Sequence, residues 1–87
     1  MVLFLRAAPD ASLRLGVVAS KKVGNAPERA RAKRRLRDAF RRNRIRFTAS
    51  TDDVILIARR SILTADGREV VSELLKLASQ AGLIPTP

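Results

Sequence analysis

Residues 14–40 read RLGVVASKKVGNAPERARAKRRLRDAF, and the period of their apolar positions changes partway. Across residues 13–22 the period is two. Leu15, Val17 and Ala19 fall on one side of a strand, with Arg14, Gly16, Val18, Ser20 and Lys22 on the other. Gly24 breaks that strand. Asn25, with Glu28 three residues on, then marks a helix start, because the Asn oxygen can accept from an orphan backbone N–H. Pro27 suits the first turn, where its missing N–H costs little. Nothing interrupts a helix from there to about Arg44, a length of about 28 Å. Ala32, Leu36, Ala39 and Phe40 cluster within about 100° of its circumference, with Asn43 in the same arc. A strand leading into a helix with one narrow apolar seam predicts a helix docked on a sheet.

The flanking segments supply the rest of that sheet. Residues 1–7 are apolar and β-compatible, and residues 9–12 read as a turn. The first two strands can pair as a hairpin through a longer loop. Residues 44–52 read as a connection in which Ile45 and Phe47 still seek the core. Residues 54–58, VILIA, form a continuous apolar run between acidic and basic pairs, which suits a central strand covered on both faces. Asp66 with Glu69 heads a second helix, whose apolar face is Val70, Val71, Leu74, Leu75, Leu77, Ala78 and Ala81; Gly82 stops it. The predicted order is β-β-α-β-α, an α+β arrangement, with the second strand, basic helix and third strand as a βαβ-like unit. At 87 residues the chain reads as one domain, 1–87.

Charge is distributed unevenly. The net charge is +10, and residues 21–46 hold 12 Lys or Arg against Glu28 and Asp38. Elsewhere six basic residues meet six acidic ones, so the whole excess sits in this segment. Lys33, Arg34, Arg35, Arg37, Arg41, Arg42 and Arg44 occupy most of the helix circumference outside the seam, with Arg31 near its start. Pairs such as Lys33/Arg37 and Arg37/Arg41 are like-charged at i,i+4, each costing a few tenths of a kcal/mol in an isolated helix. Stability alone favours more Glu here, so the pattern predicts a polyanion partner. Nine of the twelve bases are Arg, whose planar fork suits phosphate. Lys21, Lys22, Gly24 and Asn25 form a turn and helix end at which a phosphate could approach the backbone. Anionic lipid or a helix-clasping partner fits less well, because the seam is narrow and lacks Trp.

Catalysis by the chain itself has little to work with. There is no His and no Cys. Ser20 has no base near it in sequence, and Asp52-Asp53 reads as capping or solvated rather than metal-binding. No catalytic residue and no protein metal ligand is expected. The absence of Cys fits a reducing cytoplasm. The opening apolar run ends at Arg6, too short to span a bilayer. Phe4 and Phe40 read as core on composition and spacing.

The quoted stretch resembles the protein subunit of bacterial ribonuclease P. The family pattern of Arg-x-Gly on a strand, then Ser-Lys-Lys-x-Gly-x-Ala, appears as Arg14, Gly16, Ser20, Lys21, Lys22, Gly24 and Ala26. Its helix pattern appears as Arg29, Ala30, Arg31, Lys33, Arg34 and Arg37, with Ala30 where the family carries Asn. Residues 52–59 and 66–83 resemble the strand and last helix that follow. The resemblance implies an α/β two-layer sandwich with a left-handed βαβ crossover. It implies a non-catalytic RNA-binding cofactor to a catalytic RNA that removes the 5′ leader from precursor tRNA, an endoribonuclease holoenzyme whose Mg²⁺ is held through the RNA. Carried over by position, Arg29, Arg31, Lys33, Arg34 and Arg37 contact RNA, joined by Lys21, Lys22, Gly24, Asn25 and Arg41 from the charge pattern. Phe4, Arg14, Ser20 and Lys22 line the leader cleft. The family pattern also begins with a basic, aromatic-bearing helix ahead of the first strand, where this sequence opens on the strand, so one sheet face is expected to be bare. A structural RNA-binding protein of ribosomal type, or a degenerate truncated remnant, are the alternatives.

Overall fold

The computed structural model describes residues 1–7, 14–47 and 52–84. The turn expected at residues 9–12 lies outside them. Three strands, β1 (Val2–Ala7), β2 (Leu15–Val18) and β3 (Asp52–Ile57), and two helices, α1 (Ala26–Asn43) and α2 (Gly67–Gln80), follow in the order β1-β2-α1-β3-α2. Short 3-10 turns at Arg44–Arg46 and Arg60–Leu63 were not anticipated. The α+β order expected from the apolar periods is the one observed.

Strand pairing departs from expectation at one point. The sheet order is β1-β3-β2, so β1 and β2 do not form a hairpin. β3 lies between them, antiparallel to β1 and parallel to β2. The apolar run of β3 explains this, since a β1–β2 hairpin would push the most hydrophobic strand to an edge. α1 then crosses from the end of β2 to the start of β3.

Register divides the sheet into two faces. On one, Leu3, Leu56 and Val17 lie in a row across the strands, beside the row Leu5, Val54 and Leu15. Val54 and Leu56 are fully buried there. Both helices supply the cover: Ala32, Leu36, Ala39 and Phe40 from α1 join Val70, Leu74 and Ala78 from α2 in one core cluster. Phe47 joins it and meets Phe40 with ring centroids 4.9 Å apart. Ile45 does not, because the 3-10 turn points it outward and leaves it 95% exposed.

The opposite sheet face is not covered by either helix. Its rows are Arg6–Asp53–Arg14, Phe4–Ile55–Gly16 and Val2–Ile57–Val18. Phe4 is 53% and Val18 47% exposed. Despite its continuous apolar run, β3 is covered by the helices on one face only, and Phe4 is not a core residue.

Candidate nucleic-acid interface

The turn between β2 and α1 is built from its own polar groups. β2 ends at Val18, so the alternation read through Lys22 stops four residues early. Ser20 begins a turn instead: its carbonyl accepts the Val23 N–H at 3.0 Å and its hydroxyl oxygen accepts the Lys22 N–H at 3.3 Å. Val23 is buried and anchors the turn, and Arg60 donates to the Val23 carbonyl at 3.2 Å. Lys21 and Lys22 are left exposed on its outside.

At the helix start, Asn25 Oδ1 accepts the Glu28 N–H at 2.9 Å and Glu28 Oε1 accepts the Asn25 N–H at 3.0 Å. This is a full capping box. Gly24 has φ +154°, and a Cβ there would lie 2.4 Å from Glu28 Oε1. The box itself therefore requires glycine at this position. It also engages two donors expected to serve a phosphate at this end, and it places a carboxylate beside Gly24. The exposed cations of the turn, Lys21 and Lys22, stand outside this box and can meet an anion.

Along α1 the basic residues part into two sets. On the flank beside the Arg60–Leu63 turn, Arg31 donates to the Leu63 carbonyl at 2.9 Å. Arg35 on the same flank donates from its two terminal nitrogens to the carbonyls of Ile62 and Ala65. These guanidiniums fasten the segment after β3 to the helix. Arg31, expected on the RNA side, thus also has a structural bond. Lys33, Arg34, Arg37 and Arg41 lie on the crest and on the flank beside β2. None of these four makes a hydrogen bond or ion pair among the described residues. Arg37 and Arg41 line a hollow of about 300 Å³ with Leu15, Phe40 and Arg44. Arg44 stacks its guanidinium 5.9 Å from the Phe40 ring centroid. Arg29 is half-buried, and its Nε is shut from solvent without a hydrogen-bond partner.

The open sheet face adds a feature the sequence reading missed. Asp53 is 5% exposed, and its two oxygens accept from different strands: Arg6 Nη2 at 2.9 Å and Arg14 Nε at 3.2 Å. The Arg6 hydrogen bond foremost, then the hydrogen bond and charge of Arg14, hold the Asp53 carboxyl below its ordinary value of 3.8 against the opposing effect of burial. Only register reveals this trio, because its members lie 39 and 47 residues apart in sequence. Of the expected cleft residues, Phe4 and Arg14 lie on this face, one row apart. Ser20 and Lys22 sit beyond the end of β2, in the turn.

A three-stranded sheet with both helices on one face and a cation-studded helix beside its β2 edge defines a recognisable class of small α+β protein. The family model described as Ribonuclease P matches residues 1–82. The chain is 47% identical over 64 residues to the ribonuclease P protein component of Desulforapulum autotrophicum, covering 74% of this chain and 54% of that one. It is 36% identical over all 87 residues to that of Chloroflexus aurantiacus, covering 64% of the relative. The chain thus spans between half and two thirds of the length of these relatives. The ribonuclease P protein of Staphylococcus aureus superposes with TM-score 0.76 at 26% identity, covering 95% of this chain and 75% of that one. That of Thermotoga maritima gives 0.76 at 29%, covering 90% and 74%. The chain belongs to the ribonuclease P protein family.

Proposed function

We propose that the chain acts as the RNA-binding subunit of ribonuclease P, assisting a catalytic RNA in removing the 5′ leader from precursor tRNA. The observation that carries this reading is the split of α1. Lys33, Arg34, Arg37 and Arg41 hold four positive charges on one helix with no acceptor among the described residues. Such a row lowers repulsion between phosphates brought close together, and it releases counterions on contact. Lys21 and Lys22 extend it past the helix start. The open face beside it offers Phe4 as a surface on which an unpaired base can stack. Ribonuclease P RNA and precursor tRNA are the partners, and the cytoplasm is the compartment.

Hydrolysis in this reading belongs to the RNA. The described residues contain no group of three or more His, Cys, Asp or Glu able to hold a metal ion, and both oxygens of buried Asp53 are engaged by arginines. Among the described residues this donor set does not fit a divalent-cation site. In this reading Mg²⁺ is held by RNA oxygens.

Reconstitution tests the proposal. The chain is combined with its cognate ribonuclease P RNA, and cleavage of precursor tRNA is followed at low Mg²⁺. Stimulation at saturating protein is expected. RNA binding without stimulation would favour a general structural RNA-binding role and sink this one.

A further inference from the structure

We propose that Asp53 is a positioning residue for leader binding: it draws Arg6 and Arg14 together into a two-guanidinium seat for one leader phosphodiester, over the bare backbone of Gly16. The inference rests on the preceding reading of the open face as the leader surface, and it adds residues and a place for a single phosphate.

The geometry is specific. β1 and β2 lie on either side of β3, so Arg6 and Arg14 start about 10 Å apart across the sheet. Two long cations at that spacing would ordinarily repel and splay. The Asp53 carboxylate stands between them and accepts one bond from each, at 2.9 and 3.2 Å. It is buried beneath them, whereas the side chains of Arg6 and Arg14 stay 70% and 54% exposed. The charge facing solvent is therefore guanidinium, and the trio carries a net +1. A guanidinium has five N–H donors, of which one on Arg6 goes to Asp53. On Arg6 the other donors can reach a phosphate oxygen above the sheet, with the Arg14 charge beside them.

Gly16 strengthens the assignment. It sits two residues after Arg14 on the same face, level with Ile55 and Phe4. Its φ is not positive, and a Cβ there would meet only Ile55 Cδ1 at 3.7 Å, an ordinary contact. The fold does not require glycine at this place. A glycine inside a strand with no conformational reason marks a close approach from outside. Arg6, Arg14, Leu15, Gly16, Asp53 and Ile55 line a hollow of about 230 Å³. The charged row and the Phe4 row lie about 7 Å apart, so one nucleotide can set its phosphate on the first and its base on the second.

The test uses the holoenzyme reconstituted from the full chain and its cognate RNA. Precursor tRNAs carry leaders of increasing length, and in the longest one each leader phosphate is replaced in turn by a neutral methylphosphonate. Wild type is expected to show one leader position where the replacement weakens affinity about tenfold. In Asp53→Asn that position-specific penalty should shrink to within about twofold, while affinity for leaderless tRNA is unchanged. A merely structural Asp53 would lower stability and leave the penalty in place, which would overturn the proposal. So would a wild type that responds to leader length with no sensitive phosphate. If leader length has no effect on affinity, the leader reading of the open face fails first. Should Asp53→Asn fail to fold, Gly16→Ala decides. It should fold and lose about fivefold in leader-dependent affinity, and an unchanged affinity would refute the seat.

Discussion

The two flanks of α1 are made of the same residue type and do opposite things. Beside the Arg60–Leu63 turn, Arg31 and Arg35 spend their donors on backbone carbonyls, so their charge serves the fold. On the crest and the β2 flank, Lys33, Arg34, Arg37 and Arg41 have no acceptor among the described residues, so their charge is available to a ligand. Composition sees one basic helix. What separates the flanks is which of them faces a turn with unsatisfied carbonyls.

The contrast can be broken most severely at the seam both flanks share. Leu36 is fully buried, and Leu36→Ala should cost about 3 kcal/mol in a denaturant melt and weaken RNA binding through loss of the folded state. Arg35→Ala comes next. Losing a charged donor shared by two carbonyls should cost about 2 kcal/mol, measured the same way. RNA affinity, measured where the variant is still folded, should change little.

Acid tests the same division on the sheet. Asp53 has a folded pKa below its unfolded value, so its stabilisation is complete above about pH 4 and is lost as pH falls through the folded value. An acid melt should show a limb that Asp53→Asn flattens. Arg34→Ala and Arg37→Ala should have the smallest effect on stability, within about 0.5 kcal/mol, and Arg37→Ala relieves two like-charged i,i+4 pairs. Each should nonetheless reduce RNA affinity several-fold and the log–log salt slope by about one. With about six phosphates neutralised, the wild-type slope should be near −4 to −5. If Arg37→Ala destabilises as much as Arg35→Ala, the division between the flanks is wrong.

Much of this was legible in the sequence because it depends on local period and caps. Asn25 and Glu28 announced α1, Asp66 and Gly82 bounded α2, and the seam from Ala32 to Phe40 was placed correctly. The errors concern relations between distant segments. Nearness in sequence suggested a β1–β2 hairpin, whereas burial of β3 decided the pairing. Hydrophobicity alone places Ile45 inward, but the 3-10 turn after α1 sets its direction. In the candidate interface, the bases were visible but their partners were not. The bonds of Arg35 to Ile62 and Ala65, and of Arg6 and Arg14 to Asp53, need tertiary register that no local spacing encodes.

The sheet order also governs the time course of folding. β1 pairs with β3 in a register that joins Val2 to Ile57. β1 therefore has no strand partner in this sheet until β3, which begins at Asp52, has been made, and closing so long a loop is slow. β2, α1 and β3 can assemble first as a contiguous unit, with β1 added to its free edge. Substitutions in β1 should then speed unfolding and barely slow folding, whereas those in the α1 seam should slow folding itself.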